Sequence, residues 1–206
     1  MNRIVLKGII RDIEYSHTLK NTEYYKANLI VKRHDDKEDI LSLRFKKYTC
    51  NYKDGDYVEL VGSLRSFSKK LSDNKSKVEI YVFTYFDLPM EENDENIINE
   101  FVISGKVCKV NPIHQTKTGK QNLQFILANN IITDNNTQKI NNYIPMVCWG
   151  KLAQDASIIQ VNDSVVIRGQ LHSRTYNKTL EDGSIEIRVA HEGIVAGMTI
   201  DYSNEN

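Results

Sequence analysis

The chain is poor in the residues that mark several classes of protein. Its 206 residues include three cysteines, three prolines and ten glycines, and 27 Lys and Arg balance 27 Asp and Glu. Cys50, Cys108 and Cys148 are odd in number and have no CxxC spacing, so we expect neither a disulfide framework nor a zinc site. The few prolines exclude proline-rich or collagen-like character. Three free thiols in a reducing cytoplasm are the expected state.

Long apolar runs and catalytic signatures are also missing. No stretch approaches the ~18 apolar residues of a membrane span. The start, with only Ile4, Val5 and Leu6 before Lys7, lacks the features of a signal peptide. No GxxxxGK[ST], HExxH, GxSxG or GxGxxG motif occurs, and the five histidines have no metal-ligand spacing. We therefore expect a protein that is not an enzyme and uses no metal or cofactor.

A weak internal repeat is present. Residues 3–10 resemble residues 100–107, and residues 56–64 resemble residues 163–171. Between these segments, residues 90–100 carry five acids and no base, which favours a solvated linker over a short helical cap. The pattern predicts a first domain at 1–89, an acidic linker at 90–100 and a second domain of the same fold at 101–206.

Each half of the chain is predicted to form about five strands. Apolar residues alternate with polar ones along residues 24–32, 77–82 and 185–189, the period of half-buried strands. In the second half, Leu152, Ala156 and Ile159 share one face of a short predicted helix. Three strands, a helix and two strands predict an all-β class with a short helix per domain. Two tandem five-stranded OB-fold barrels fit this order, and another small barrel such as an SH3-like one stays open.

The second half resembles the bacterial and phage single-stranded-DNA-binding protein (SSB) family. The resemblance lies in the order of residues 147–156 (VCWGKLAQDA), 169–176 (GQLHSRTY) and the Asp182–Gly183 turn. The first half matches weakly. The resemblance implies OB-folds that bind single-stranded DNA, and aromatic stacking sites at Tyr143, Trp149 and Tyr176.

The residue pattern of the second half agrees with that implication. Tyr143 and Trp149 share the outward face of a predicted strand, and aromatic platforms beside cations are what a single strand needs. Packing of these rings into the barrel or a dimer contact is the alternative. The predicted DNA-binding residues of this half are Tyr143, Trp149, Lys151, Arg174, Tyr176, Lys117 and Lys120.

The first half departs from the family pattern. Alignment places Phe45 where Trp149 stands, with a face pattern that favours core, and places Asp39 where Tyr143 stands. Backbone contacts by charge, or a role in binding protein, would follow. The predicted DNA-binding residues here are Tyr24, Arg44, Lys46, Lys69, Lys70 and Lys75.

These observations predict a protein that coats single-stranded DNA in replication, repair or transfer. The alternative is an OB-fold protein-interaction module of a replication, plasmid or phage complex. Stacking residues do not separate DNA from RNA, because every base has a π-face. The family gathers four OB domains per functional unit, which implies a homodimer of this chain, with no membrane partner. The acidic C-terminal recruitment tip of the family is not visible at residues 201–206.

Overall fold

The structure, a computed structural model, describes residues 1–70, 76–88, 90, 96–132, 139–180 and 183–201. The strands are β1 (Asn2–Leu19), β2 (Thr22–Lys32), β3 (Glu38–Lys46), β4 (Tyr57–Lys70), β5 (Ser76–Leu88), β6 (Asn99–Val110), β7 (His114–Gln115), β8 (Gln121–Ile132), β9 (Lys139–Trp149), β10 (Ser164–Thr179) and β11 (Ile185–Asp201). One helix, α1 (Lys151–Asp155), runs into a 3-10 turn (Ala156–Ile158). No helix in these ranges is long and apolar enough to span a membrane.

The strands close into two barrels. Strands β1, β2, β3, β5 and β4 pair in that order, and β4 pairs back with β1. Strands β6, β8, β9, β11 and β10 repeat the order, and β10 pairs back with β6. In both barrels the third-to-fifth strand contact is the parallel one. The predicted fold class, all-β with two OB-fold barrels, is confirmed.

Alternating side chains explain why these segments are strands. Along β3, Leu41, Leu43 and Phe45 point into the first barrel and are almost fully buried. Along β9, Ile144, Met146 and Cys148 do the same in the second barrel. Their outward neighbours are free to be polar or aromatic, so the period of two leaves one surface of each strand for function.

Glycines occupy equivalent positions in the two barrels where the backbone of a neighbouring strand passes close by. A Cβ on Gly8 would lie 2.3 Å from the Ile30 carbonyl oxygen, and one on Gly105 would lie 2.3 Å from that of Ala128. No side chain fits there. Recurrence of one glycine per strand at Gly8, Gly62, Gly105 and Gly169 predicts bulges or barrel corners. Bulges do fall immediately before Gly62 and before Gly169 in the equivalent antiparallel pairs.

The prediction of a helix in each half is right only for the second. There, α1 begins after Gly150, which has the positive φ of 59° that glycine adopts most readily, and Ala153, Ala156 and Ile159 are buried. In the first half the corresponding segment, residues 47–56, forms turns instead. It is four residues shorter, and buried Cys50 and the ring of Tyr52, which contacts Phe45, anchor it to the core.

A continuous sheet joins the two barrels. Strand β1 pairs antiparallel with β6, from Asn2 opposite Ile103 to Leu6 opposite Asn99, so six strands run in the order β5-β4-β1-β6-β10-β11. Because β6 begins at Asn99, the last residues of the expected linker are strand, and residues 91–95 lie outside the described part of the chain. The division into domains stays a prediction.

Two reciprocal contacts tie the barrels together away from that sheet. The buried Asp39 carboxylate of β3 accepts the Ser173 backbone N–H at 2.7 Å, and Ser173 Oγ accepts the Ile40 N–H at 2.9 Å. On the opposite side, buried Asn142 of β9 accepts the Ser66 N–H at 2.9 Å, and Ser66 Oγ accepts the N–H of the following tyrosine at 2.7 Å. Reciprocity of this kind is the pattern of a two-fold contact.

Candidate nucleic-acid interface

Trp149 lies at the end of β9 with its indole ring partly exposed. The Lys120 ammonium, from the hairpin between β7 and β8, sits 5.1 Å from the ring centroid. Lys117 lies in the same hairpin and Lys151 lies two residues after Trp149, at the start of α1. Both side chains are exposed. The structure thus brings one predicted aromatic residue and one predicted cation into direct contact, as a cation–π pair.

The second aromatic pair of this barrel lies on β10. The Arg174 guanidinium carbon is 5.6 Å from the ring centroid of Tyr176, and Arg174 is exposed while Tyr176 is partly exposed. Both side chains line the groove between the barrels. Their spacing of two residues puts both side chains on one face of β10.

Tyr143 is separated from Trp149 by most of β9. Six residues of strand span about 20 Å, and Tyr143 lies where β9 meets β4, its N–H bound to Ser66. Its side chain is 43% exposed. Tyr143 and Trp149 therefore share a strand face but do not form one contact surface by themselves.

The first barrel carries an aromatic array on the outward face of β4 and β5. Arg44 of β3 lies beside two rings, with its guanidinium carbon 4.4 Å from the Phe67 centroid and 4.3 Å from that of Tyr81. Arg65 lies over Phe83 at 3.9 Å. Two arginines thus form cation–π contacts with rings of this barrel.

The array extends to both sides. Tyr24 is stacked on His17 with ring centroids 4.8 Å apart and lies 6.5 Å from Phe83. Tyr85, 38% exposed, donates its hydroxyl to Ser63 Oγ and contacts Phe83 edge-on. Sequence reasoning named Tyr24 and Arg44 but missed the members Arg65, Phe83 and Tyr85. The alternation of aromatics along residues 81–85 was the available signal.

Strand position corrects the alignment of the two barrels by one residue. Asp39 and Asn142 hold equivalent interface positions, and six residues further along their strands stand Phe45 and Cys148. Both are core side chains, 2% and 0% exposed, so Phe45 is core as its face pattern favoured, but it is not the counterpart of Trp149. The alignment made from the sequence was wrong by one residue, because the connection after β3 is four residues shorter than the connection after β9.

The residue equivalent to Trp149 is Lys46. Its ammonium lies 5.5 Å from the ring of exposed Tyr48 in the following turn. By the same register, Ile40 and not Asp39 is equivalent to Tyr143, and Ile40 is 42% exposed. The first barrel therefore lacks aromatic residues at two positions where the second barrel has them.

The remaining predicted lysines belong to the hairpin of β4 and β5. Lys69 and Lys70 are the last residues of β4 and pair through their backbones with Lys77 and Ser76 of β5. Lys75 lies outside the described residues.

A groove of about 700 Å³ runs between the barrels. One wall comes from β1 to β5, the other from β8 to β11. The groove holds Arg44, Phe67 and Tyr81 on the first wall and Arg174 and Tyr176 on the second. It also holds the carboxylates of residues 12, 14, 79 and 192, so its charge is mixed.

All three cysteines are free. Cys50 and Cys148 are buried, and Cys108 is exposed. Burial raises the pKa of the Cys148 thiol to about 11, so it is inert at neutral pH. Within the described ranges, no group of three His, Cys, Asp or Glu side chains is placed to hold a metal ion.

Comparison with known proteins bears on the second barrel most directly. Residues 98–194 match the model of the Single-strand binding protein family. A search of curated protein sequences finds no significant match.

Among solved structures, the whole chain is similar to the single-stranded DNA binding protein from Thermus aquaticus. The fold superposes on a deletion variant of that protein with a TM-score of 0.70 at 16% identity, covering 100% of this chain and 98% of that one. The wild-type structure gives 0.69 at 16% identity, covering 98% of this chain and 93% of that one. At this identity the likeness shows the fold. Both barrels are thus arranged as in that protein, and the fold of the chain is SSB-like.

Proposed function

We propose that the chain coats single-stranded DNA in replication, repair or transfer, and does so without catalysis or a cofactor. One observation carries the proposal: a partly exposed tryptophan, Trp149, with the Lys120 ammonium over its ring, lies inside the segment that matches the Single-strand binding protein family. A single strand offers bases that stack on such a ring and phosphates that pair with such a cation.

In the second barrel the proposed contacts follow the strand surface. Bases stack on Trp149, Tyr143 and Tyr176, and phosphates are contacted by cations within reach of these rings. Those cations are Lys117, Lys120, Lys151 and Arg174. All four side chains are exposed, and none of them forms an ion pair with another described residue. Both observations support contact with phosphates.

In the first barrel, the proposed contacts come from β2, β3 and the hairpin between β4 and β5. Here Tyr24 offers a ring, and Arg44 and Lys46 offer donors on the outward face of β2 and β3. Lys69, Lys70 and Lys75 follow in the hairpin between β4 and β5. Because the protein has no net charge, attraction of the phosphates rests on these local clusters.

We further propose that the chain works as a homodimer with four OB domains. The outer face of the six-stranded sheet carries the apolar side chains that would be buried in that dimer. Val102 is 39% exposed, Val166 is 37% exposed and Phe86 is 50% exposed, and they lie on β6, β10 and β5. Apolar side chains spread over one sheet face favour burial against a second copy.

Fluorescence of the only tryptophan tests the binding proposal. Titration with oligo(dT) is expected to quench Trp149 emission, whereas duplex of the same length is expected to leave it unchanged. Oligo(rU) in parallel measures the preference for DNA. Absence of binding to any single strand, together with capture of a defined replication protein, would instead support the protein-interaction module.

A further inference from the structure

Arg44 has hydrogen-bonding capacity that the protein leaves unused. The ring centroids of Phe67 and Tyr81 lie 4.4 and 4.3 Å from its guanidinium carbon and 6.0 Å from each other, so both rings adjoin the group without enclosing it. No carboxylate, carbonyl or hydroxyl oxygen among the described residues accepts a hydrogen bond from it. A guanidinium carries five N–H donors along its edge, so Arg44 has donors left for a ligand in the groove that it lines.

The opposite wall repeats this chemistry. Arg174 lies against Tyr176 at 5.6 Å, and its guanidinium likewise has no acceptor in the described part of the chain. Arg44 and Arg174 belong to different barrels and line one groove of about 700 Å³. Two guanidinium groups, each with an aromatic ring beside it, therefore line one space that is large enough for a nucleotide.

The acidic residues of the groove narrow the choice of ligand. Glu14 is paired with Lys26 at 2.6 Å, and Asp12 accepts from Asn28 at 2.9 Å. Glu79 and Glu192 also line the groove. An inorganic anion would be repelled by these carboxylates, and this repulsion would offset its attraction to the guanidinium groups. A nucleotide, in contrast, gains from its base on the rings as well as from its phosphate on the guanidinium edges.

We propose that the groove between the barrels is a second binding site for the single strand. A base stacks at the cluster of Phe67, Arg44 and Tyr81, and an adjoining phosphate is held between the edges of Arg44 and Arg174. The site rests on the proposed function. The proposal adds that the DNA strand passes from one barrel to the other within a single protein chain. Its bases stack there on rings other than Trp149.

A relocated tryptophan tests the site directly. In a Trp149→Phe background, Phe67→Trp places the only indole in the groove, and Tyr57→Trp places it at an exposed tyrosine outside the groove as the matched control. We expect oligo(dT) to quench emission of the Phe67→Trp protein by a large fraction and to leave that of the Tyr57→Trp protein unchanged.

The two proposals fail in different ways. If oligo(dT) quenches Trp149 in the natural sequence but leaves the Phe67→Trp emission unchanged, the groove is not a site while binding itself stands. If no single strand binds the natural sequence, the proposed function fails and the groove site fails with it. Equal quenching in the groove and control proteins would also overturn the site, because it would report a global change.

A substitution of charge provides a second measurement that does not depend on the reporter. Arg44→Gln is expected to weaken binding of long oligo(dT) and to flatten the slope of log K against log salt by about 0.7, the contribution of one phosphate on a single strand. Arg11→Gln, a surface arginine paired with Asp54 outside the groove, is the control and should leave the slope unchanged. Identical slopes for both variants would overturn the phosphate contact.

Discussion

The two barrels share one backbone plan and differ in the side chains that this plan turns outward. At equivalent positions, the second barrel has Trp149 and Tyr143 where the first has Lys46 and Ile40. The first barrel has Arg44 where the second has Val147, which is 2% exposed. Aromatic rings beside cations therefore occur in both barrels, on β9 and β10 in the second and on β4 and β5 in the first. An equivalent position in a repeated fold does not imply an equivalent role.

The interface between the barrels shows the same principle in one pair of residues. Asp39 and Asn142 each accept a serine N–H from the opposite barrel. Only Asp39 has a cation near it, Arg33 at 3.9 Å. Arg33 stands two residues after the strand partner of Asp39. The equivalent residue in the second barrel, two residues after the strand partner of Asn142, is Ile131. The charge at one contact and the amide at the other thus follow from the neighbours that each strand supplies.

The largest expected effect separates core from surface at adjacent positions. Phe45→Ala should destabilise the protein by ~3–5 kcal/mol, because it leaves a cavity in the first barrel. Thermal unfolding should show a drop in Tm of roughly 6–20 °C. Lys46→Ala, one residue along, is the control and should leave Tm nearly unchanged. Loss of affinity for oligo(dT) by Phe45→Ala at unchanged Tm would place this ring on the binding surface.

The next effect compares the equivalent outward positions. Trp149→Ala should weaken binding of oligo(dT) by roughly ten- to a hundredfold, since stacking contributes ~1–3 kcal/mol per base. Lys46→Ala removes one positive charge from a partly exposed side chain and should weaken binding by less than about fivefold. Equilibrium titrations at one salt concentration compare the two variants. Equal losses would mean that the two barrels contact DNA in the same way at this position.

A smaller effect is expected at the interface between the barrels. Asn142→Asp buries a carboxylate with no cation at the position of Arg33, and should destabilise the fold by about 1–3 kcal/mol at neutral pH. Asp39→Asn keeps an acceptor for Ser173 and should cost about 1 kcal/mol or less. Urea unfolding measures both. A larger loss for Asp39→Asn would show that the ion pair with Arg33, and not the hydrogen bond, holds this contact.

The smallest effect concerns the lysine hairpin of the first barrel. Replacing Lys69, Lys70 and Lys75 together by Gln should flatten the slope of log K against log salt by up to about 2 if all three contact phosphate. Quenching of Trp149 at saturation should persist, because that ring belongs to the other barrel. An unchanged slope would make the hairpin a solvated loop and leave phosphate contacts in the first barrel to Arg44 and Lys46.

Sequence patterns predicted much of the fold and part of the site. Alternation identified the core faces of β3 and β9, and the recurring glycines predicted bulges, which occur before Gly62 and Gly169. The helix predicted for the first half was wrong, because a shorter connection between β3 and β4 closes the barrel through turns.

Amino-acid order by itself determined the class of the protein: strands from a period of two, two similar halves from the repeat, and aromatic residues beside cations from local spacing. Tertiary structure alone decided which of these residues meet. Arg44, Phe67 and Tyr81 come from three strands and contact one another only when the barrel closes, and Arg174 faces the same groove only because β1 pairs with β6. The reason is physical, since local pattern sets which face a side chain takes, whereas contacts between strands depend on register and closure.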